Sequence, residues 1–495
     1  MIDTSIFPDP VYRETVLAPL FEGAKEHYAG HVRAINRAHL VMLAETEILP
    51  HTTATAIARA LVAVDAEIDI SALTYTGEHE DYFFLVEAEL KRRLGPDVAG
   101  ALHTARSRND MDHTVFKMAL RMRADAALHQ AMGLTQALIE TARRERDTLV
   151  VAYTHGQPAQ PTTLGHYLGA VIEVLLRDIT RLSAARAGLD HCPMGAAAIT
   201  TSGFPIDRHR MADLLGFDGP LENSYGCIAA VDYVTGLYSA MKLMFLHLGR
   251  LVQDMQFWTA FEVGQLYVPN ALVQISSIMP QKRNPVPIEH LRHLASMTVG
   301  RCDAIVNTMH NTPFTDMNDS EGEVQVAGYA AFDSGARVLA LLTALIPACR
   351  VRADRVAANM DAACVTVTEL ADTLVRAEGL SFRQAHEIAS HTARAVIKEG
   401  QPLGAGFAAF CDAFLRETSR NPLLDGAAFA QAVDPEHFVA SRTRFGGPAP
   451  APMDAALTRY TATLDSLRAD CTARMTRINT AQAARDAAFA RLTEE

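Results

Sequence analysis

Long stretches without proline are the feature that most constrains the fold of this chain. Residues 225–262 contain no proline, and apolar side chains recur among them at helical spacing. Residues 112–151, 165–189 and 287–311 show the same spacing. Helices of this length exceed those of most globular proteins, and they can bury their apolar faces only against one another. The pattern therefore predicts a mainly α fold built around a bundle of long helices.

Clusters of Gly, Pro and polar residues interrupt the helical pattern near residues 95–110, 312–322 and 350–380. We therefore predict three domains: an N-terminal helical domain over 1–105, a central long-helix bundle over 106–360 and a small C-terminal helical domain over 361–495. Beyond residue 380 we expect shorter helices, with a further break at 444–452. The β-branched segment 66–76 is a candidate for a strand or a loop.

The charge and cysteine content exclude several classes of protein. The formal net charge is −12 and no block of basic residues occurs, so nucleic-acid binding is not expected. No apolar run is long enough to predict a membrane span, and the first residues lack the pattern of a signal peptide. The seven cysteines are scattered without a CxxC pair, which is typical of reduced thiols. We therefore expect a cytoplasmic protein.

The segment 276–285, Ser-Ser-Ile-Met-Pro-Gln-Lys-Arg-Asn-Pro, is the strongest functional motif. Its prolines disfavour helix in the residues before them, so its polar groups should lie on a loop. Ser276 or Ser277 offers a base, Lys282 a cation and Asn284 an amide. These groups can remove a proton next to a carboxylate and stabilise the resulting negative charge. The alternative is an ordinary basic surface loop.

A second polar segment, residues 102–110, comes just before a long helix. It contains hydroxyl, guanidinium and amide groups, on Thr104, Ser107, Arg108 and Asn109. Helix N-termini attract anions, and arginine binds carboxylates in a bidentate manner. The segment therefore predicts an anion cradle, although a helix cap with solvated arginines would have a similar sequence.

A third segment, residues 153–163, contains Thr154, His155 and Gln157 between prolines that restrict the loop. His155 is a candidate acid or base, although a single histidine is more often structural. Glu289, on the helix that follows the 276–285 loop, is a candidate to orient the imidazole.

All three segments, in this order, resemble the argininosuccinate lyase branch of the aspartase/fumarase superfamily. The resemblance extends over nearly the whole chain and includes the stretches 194–198, 204–208, 379–388 and 434–443. It implies a homotetramer in which the central domains form a twenty-helix core and each active site combines three subunits. It also implies a small-molecule substrate, with no metal and no cofactor.

The resemblance assigns roles to residues of this chain. Ser276 would be the general base that removes the Cβ proton of a succinyl group, giving fumarate and a released amine. Lys282 and loop amides would stabilise its alkoxide, and His155 paired with Glu289 would assist the leaving nitrogen. The two substrate carboxylates would be held by six polar residues: Ser107, Arg108, Asn109, Thr154, Lys282 and Asn284. Four more residues would also bind the substrate: Thr104, Gln157, Ser277 and Met279.

The chain departs from the family mainly where the amine would bind. Ile275 and Ala105 replace glycines, Phe83 replaces a histidine and Val231 replaces an arginine. The family's Tyr, Gln and Lys are also unmatched within residues 312–323. Groups expected to hold fumarate are all present. A site built around polar partners rejects an analogue that cannot satisfy them, so these changes predict a different leaving amine.

We therefore expect a carbon–nitrogen lyase for an N-substituted aspartate, with ethylenediamine-N,N'-disuccinate as the nearest known substrate type. Tyr225, Phe83 and either Asp316 or Asp319 would line the amine side, with the acid near a distal ammonium. The alternatives are an ordinary argininosuccinate lyase, a lyase for another amine adduct of fumarate, and a catalytically silent protein like the lens crystallins.

Overall fold

The computed structural model describes residues 7–494. The first helices are α1 (Pro10–Tyr12), α2 (Ala18–His27), α3 (Ala29–Glu45), α4 (His51–Glu67), α5 (Tyr82–Leu94) and α6 (Pro96–Gly100). The middle of the chain forms α7 (Arg108–Arg144), α8 (Leu164–Ala187), α9 (Arg208–Leu215), α10 (Ser224–Ala229), α11 (Asp232–Thr259), α12 (Val286–Thr308) and α13 (Gly322–Ala348). The last helices are α14 (Ala353–Ala363), α15 (Val367–Glu378), α16 (Phe382–Glu399), α17 (Phe407–Thr418), α18 (Gly426–Ala432), α19 (Pro435–Ser441) and α20 (Pro450–Glu494).

The strands are short and pair only in twos. They are β1 (Leu149–Thr154), β2 (Gln157–Thr163), β3 (His191–Cys192), β4 (Gly219–Pro220), β5 (Leu266–Tyr267), β6 (Gln274–Ile275), β7 (Arg283–Asn284) and β8 (Arg350–Val351). The pairs β1–β2, β5–β8 and β6–β7 are antiparallel, and β3–β4 is parallel. The mainly α prediction is therefore confirmed, and the segment 66–76 contains the end of α4 and a 3₁₀ turn at Ile70–Ala72, with no strand.

Five long helices form the core of the molecule. Helix α7 packs on α8, α8 on α11, α11 on α12, α12 on α13, and α13 returns to α7. The ring of Phe245 from α11 packs directly on Gly335 of α13, where an added Cβ atom would lie 2.5 Å from Phe245 Cζ. The stretch Asn318–Ala348 is long and apolar enough to span a membrane by composition, but it is largely buried between α7 and α12. Its apolar character is therefore that of a core helix.

The helix boundaries differ from the expected ones at two places. The stretch 225–262 is divided between α10 and α11, because Ala230 has an extended backbone. The expectation of shorter helices after residue 380 is wrong for α20, which has 45 residues. Helix α20 can be long because it lies along α3, α4, α7, α8 and α9, which bury Leu457, Leu464 and Phe489. The residues before it, 364–433, form a separate small core, and the three-domain division remains a prediction.

The three polar segments lie at the two ends of the bundle. At the cradle end, which holds the start of α7, His113 Nδ1 lies 3.2 Å from the hydroxyl of Tyr233 at the start of α11. At the hairpin end, which holds the end of α7, the backbone N–H of Val151 donates to Gln265 beyond the end of α11. The first polar segment therefore lies at one end of the bundle and the other two lie at the opposite end.

Candidate active site

The anion cradle is built on the first turn of α7. Ser107 is the N-cap: its Oγ accepts from the N–H of Asn109 at 3.4 Å, and its own N–H donates to Asp110 Oδ1 at 3.0 Å. This is a capping box, which satisfies backbone N–H groups of the first turn and orders it. Asn109 is held from the side, because its Nδ2 donates to the carbonyl of Ala198 at 3.1 Å.

Asp110 ties a second loop to this turn. Its Oδ2 accepts from the N–H groups of Gly195 at 2.9 Å and Ala197 at 3.0 Å, and the residue is fully buried. Burial raises the pKa of the Asp110 carboxyl to about 6, although these amides favour the charged form. The loop 195–198 is thereby fixed beside Ser107 and Asn109.

The residues before the N-cap, Ser107, are also held in place by a buried side chain. The carbonyl of Thr104 lies 2.9 Å from His39 Nε2, and burial lowers the pKa of His39 well below its usual value, so its ring is neutral. Ala105 then adopts φ +59°, a left-handed conformation that favours glycine. This backbone conformation explains why the family has a glycine at the position of Ala105. The alanine of this chain is strained there.

Arg108 is not a free cation in this chain. Its guanidinium lies 2.9 Å from both Glu80 Oε1 and Asp81 Oδ2, and 4.0 Å from Asp112 Oδ2. It also lies over the ring of Phe84 at 5.4 Å from the centroid. A guanidinium shared among three carboxylates has less capacity to bind a substrate carboxylate than the sequence indicated.

The 276–285 segment is a small hairpin closed by the pairing of β6 with β7. The N–H of Ser276 donates to the carbonyl of Lys282 at 3.3 Å, and the N–H of Lys282 donates to Met279. Ser276 Oγ accepts from the backbone N–H groups of Ile278 at 3.4 Å and Met279 at 3.1 Å. Hydrogen bonds to an oxygen stabilise its charged form, so these two amides favour an alkoxide at Ser276.

Within the same hairpin, the side chains of Ser277 and Lys282 are exposed and make no hydrogen bond or ion pair among the described residues. Arg283 points away from them, since it donates to the carbonyl of Val268 at 2.8 Å and lies over Tyr267. Asn284 is half-buried at the end of β7. The hairpin therefore presents Ser276, with its amides, and Lys282 on one exposed loop.

The third segment forms the tip of the β1–β2 hairpin. Thr154 pairs with Gln157, and the two residues between them, His155 and Gly156, have φ +53° and +75°. Two successive left-handed residues form the tight turn that suits a twisted hairpin. All four residues are exposed, so the imidazole of His155 projects at a hairpin tip.

The cradle and the hairpin tip are far apart in one chain. Helix α7 has 37 residues between them, which corresponds to about 55 Å. Even if the six-residue strand β1 folded straight back, it would recover only about 20 Å. Ser107 and His155 of the same chain therefore cannot contact the same small molecule.

The expected pair of His155 and Glu289 does not form within one chain. Among residues 7–494, no hydrogen bond or ion pair connects residues 154–157 with residues 276–289. Glu289 lies exposed in the first turn of α12 without a partner in this part of the chain. The pairing therefore remains a prediction that requires a second copy.

The residues expected on the amine side separate into two groups. The rings of Tyr225 and Phe314 stack at 6.0 Å with an interplanar angle of 20°, at the cradle end. Phe83 does not join them: it packs inward on Phe84 and His103, beneath the guanidinium of Arg106. Phe83 is partly buried and lies apart from this stack within one chain, so its place on the amine side stays a prediction.

Asp316, and not Asp319, lies among functional groups. Its Oδ1 is 3.7 Å from His113 Nε2, whereas Asp319 is exposed and contacts none of these side chains. Burial, followed by the nearby Asp316, raises the pKa of Glu321 to about 7. Burial also raises the pKa of Asp112 to about 8.

Sequence reasoning did not identify Asp112, His113 or Glu321 as site residues. Asp112 lies four residues after Arg108, so the spacing of an i,i+4 pair on one helix face could have indicated it. No sequence signal connects His113 with Asp316, because they meet only through the packing of α7 against the turn before α13.

This chain is similar to known proteins over most of its length. Residues 25–300 match the family described as Lyase, and residues 364–440 match the one described as Argininosuccinate lyase C-terminal. The chain is 62% identical over 469 residues to Argininosuccinate lyase 2 of Agrobacterium fabrum (strain C58 / ATCC 33970), covering 94% of this chain and 93% of that protein. The chain belongs to the lyase family. Within it, this lyase falls in the argininosuccinate lyase branch of the aspartase/fumarase superfamily.

More distant relatives share the fold over nearly the full length. Argininosuccinate lyase 1 of Shouchella clausii (strain KSM-K16) is 32% identical, covering 92% of this lyase and 91% of that protein. The crystal structure of EDDS lyase in complex with formate has a TM-score of 0.85 at 28% identity, covering 98% of this chain and 96% of that one. The prediction of a fumarate-releasing carbon–nitrogen lyase is confirmed at the level of the reaction class.

Proposed function

We propose that this lyase catalyses the reversible anti elimination of fumarate from an N-substituted aspartate, with Ser276 as the base. The Ser276 oxygen takes the Cβ proton, and the C–H electron pair passes into the adjacent carboxylate to give an aci-carboxylate. That pair then forms the C=C bond as the C–N bond breaks. The C–N electrons go to nitrogen, which gains a proton as the amine leaves. No step in this scheme calls for a metal or a cofactor.

The observation that carries this proposal is the environment of Ser276 Oγ. A serine hydroxyl is a very weak base in water, so the protein must stabilise its alkoxide. The N–H groups of Ile278 and Met279 already point at this oxygen. Lys282 on the same hairpin adds a positive charge once the loop closes over substrate.

The remaining polar groups hold negative charge that develops on the substrate. Asn284, Thr154 and Gln157 supply donors at the hairpin end, with Ser277 and Met279 beside the base. Thr104, Ser107, Arg108 and Asn109 supply them at the cradle. Contacts that strengthen as the aci-carboxylate forms accelerate the reaction, since only differential binding of the transition state lowers the barrier. His155, oriented by Glu289, then protonates the leaving nitrogen.

The length of α7 supports a site shared between copies. About 55 Å of helix separates Ser107 from the hairpin that carries His155, so a site that uses both residues would combine at least two chains. Four copies of the five long helices would give the twenty-helix core that the family resemblance implies. We therefore propose a homotetramer with active sites made by three subunits.

For the substrate, we propose ethylenediamine-N,N'-disuccinate, which would be converted through N-(2-aminoethyl)aspartate to ethylenediamine and fumarate. The unmatched family residues within 312–323 support this choice, and in this chain Phe314 stacks on Tyr225 while Asp316 lies near His113. Argininosuccinate is the second candidate. The 62% identity to a protein called Argininosuccinate lyase 2 favours it. Seven free cysteines support a reducing, cytoplasmic location.

Direct turnover separates these possibilities. The purified protein would be given argininosuccinate and ethylenediamine-N,N'-disuccinate separately, with fumarate followed by its ultraviolet absorbance. Fumarate from the disuccinate alone supports the altered amine side as the determinant of specificity. Fumarate from argininosuccinate alone would make this an ordinary argininosuccinate lyase. Fumarate from neither, with none consumed in the presence of amines, would point to a catalytically silent protein.

A further inference from the structure

The loop 194–201, which we call the cradle loop, lies beside the first turn of α7 in a strained conformation. Ala197 and Thr201 have φ +52° and +64°, in the left-handed region that residues other than glycine rarely adopt. Gly195 also lies in this region, and a Cβ atom added there would be 2.6 Å from Arg208 Cγ. Strained backbone persists only where its surroundings hold it, and it concentrates at functional sites.

The cradle loop is held by bonds within itself and by a buried carboxylate of α7. The Oγ1 of Thr201 donates to the carbonyl of Gly195 at 2.8 Å, which closes the loop. Asp110 accepts from the N–H groups of Gly195 and Ala197, and it forms no ion pair among residues 7–494. Backbone N–H groups therefore balance the charge of Asp110, and in return the carboxylate fixes the loop against α7.

The loop in turn fixes the side-chain amide of Asn109. Its Nδ2 donates to the carbonyl of Ala198 at 3.1 Å, and since a carbonyl can only accept, this contact decides which way the amide faces. From the other side, the hydroxyl of Ser107 donates to Asn109 Oδ1 at 3.2 Å. The second N–H of Asn109 Nδ2 has no hydrogen-bond partner within residues 7–494, so it remains available to a bound carboxylate.

We propose that Asp110 is a positioning residue for the lyase reaction, which fixes the cradle loop and, through it, the orientation of the Asn109 amide. The inference rests on the proposed function, in which Asn109 binds a substrate carboxylate. A donor that is oriented before the reaction needs no reorganisation when negative charge develops on that carboxylate. Without the Asp110 carboxylate the strained loop relaxes, and the amide loses its fixed direction although Asp110 itself contacts no substrate.

Three changes in the full-length protein test this chain of contacts. Asp110→Asn keeps the shape of the side chain but removes the charge that accepts the two loop N–H groups. Thr201→Val removes the hydroxyl that donates to Gly195, and since Thr201 is exposed, this change loosens the loop without altering the interior. Asn109→Ala removes the amide itself, and it is combined with each of the other two changes.

The control is Glu378→Gln in the separate core of residues 364–433. Glu378 is also a buried carboxylate that accepts two backbone N–H groups, from Leu423 at 2.6 Å and Leu424 at 2.8 Å, but it lies outside the cradle. For every variant, kcat/KM is measured by fumarate release from the N-substituted aspartate that the wild type turns over. The melting temperature of each variant is measured separately.

We expect Asp110→Asn to lower kcat/KM about 10- to 100-fold and Thr201→Val about 3- to 10-fold, because a misplaced contact group slows the reaction. In the Asn109→Ala background, each change should lower kcat/KM less than about 2-fold, since the group that it orients is already absent. The fall in melting temperature should be the same in both backgrounds. Glu378→Gln should lower the melting temperature and leave kcat/KM unchanged.

Equal losses of kcat/KM with and without the Asn109 amide would overturn the inference, because Asp110 would then support only the fold, and the lyase reaction would stand. An unchanged kcat/KM in Asp110→Asn would overturn it as well. If Asp110→Asn does not fold, the pair of Thr201→Val and Asn109→Ala decides the question by the same comparison. If the wild type releases fumarate from no N-substituted aspartate, the proposed function fails and this inference fails with it.

Discussion

At the residue scale, the two adjacent serines of the hairpin differ although the sequence treats them alike. Ser276 Oγ accepts two backbone N–H groups, whereas the hydroxyl of Ser277 has no such partner among the described residues. An alkoxide is therefore favoured at Ser276 only. The distinction arises from a turn in the backbone and not from the side chains themselves.

Replacing Ser276 by alanine should lower kcat by at least about 100-fold while KM changes little, because a general base acts in the chemical step. Ser277→Ala is the comparison variant and should lower kcat far less, because it removes a proposed substrate contact and not the base. Both variants would be measured by fumarate release from whichever substrate the wild type turns over. Near-wild-type kcat in Ser276→Ala would exclude this serine as the base.

Asp112 should make the stability of the protein depend on pH. The pKa of Asp112 is raised by burial to about 8 in the folded protein, against 3.8 for the ordinary group, with Glu321, Asp81 and Asp316 raising it and Arg108 lowering it. The stability that protonated Asp112 contributes is complete below pH 4 and is lost as pH rises to about 8. Asp112→Asn should therefore stabilise the protein at pH 8 relative to wild type, and much less at pH 5.

Urea unfolding at the two pH values measures this difference, with Glu323→Gln as a control that should show none. A variant whose stability relative to wild type is the same at pH 5 and pH 8 would mean that Asp112 titrates normally in the folded state.

At the scale of elements, the long helices determine where each functional segment lies. Helix α7 carries the cradle at its first turn and leads into the β1–β2 hairpin at its other end. Helix α12 begins directly after the 276–285 hairpin. The reactive segments are loops held by rigid helices, so the spacing of the helices controls the site.

The contact between Phe245 of α11 and Gly335 of α13 can be tested by adding one methyl group at residue 335. Gly335→Ala should destabilise the protein by about 1–3 kcal/mol, because its Cβ would lie 2.5 Å from Phe245 Cζ. Gly133→Ala in α7 is the control, since that glycine has open space around it and should gain about 0.5–1 kcal/mol from helix propensity. Chemical denaturation of both variants measures the effect, and a neutral Gly335→Ala would mean that the helices can separate without cost.

At the scale of the whole molecule, one chain is not a complete enzyme if the three segments act together. The groups that would bind carboxylate, protonate nitrogen and remove the Cβ proton lie at two ends of a bundle whose longest central helix measures about 55 Å. Assembly of several copies brings opposite ends together, which is the physical reason for an oligomeric site.

Mixed assemblies test this arrangement. Ser276→Ala and His155→Ala should each be inactive alone, because each removes one group from every site. Co-expression of the two chains should restore part of the activity, since some sites then receive an intact Ser276 from one copy and an intact His155 from another. Absence of any recovery in assemblies shown to contain both chains would mean that both groups come from the same copy.

The sequence by itself determined the helical class, the three polar segments and the reaction type. Helical periodicity and the 276–285 motif are local properties of the sequence, so they can be recognised without knowledge of the packing. The tertiary structure decided three further matters: that Tyr225 stacks on Phe314, that α20 extends along the bundle, and that His113 meets Asp316 from more than 200 residues away. These depend on contacts between distant segments, and such contacts follow from how the helices bury their apolar faces together and not from any local pattern.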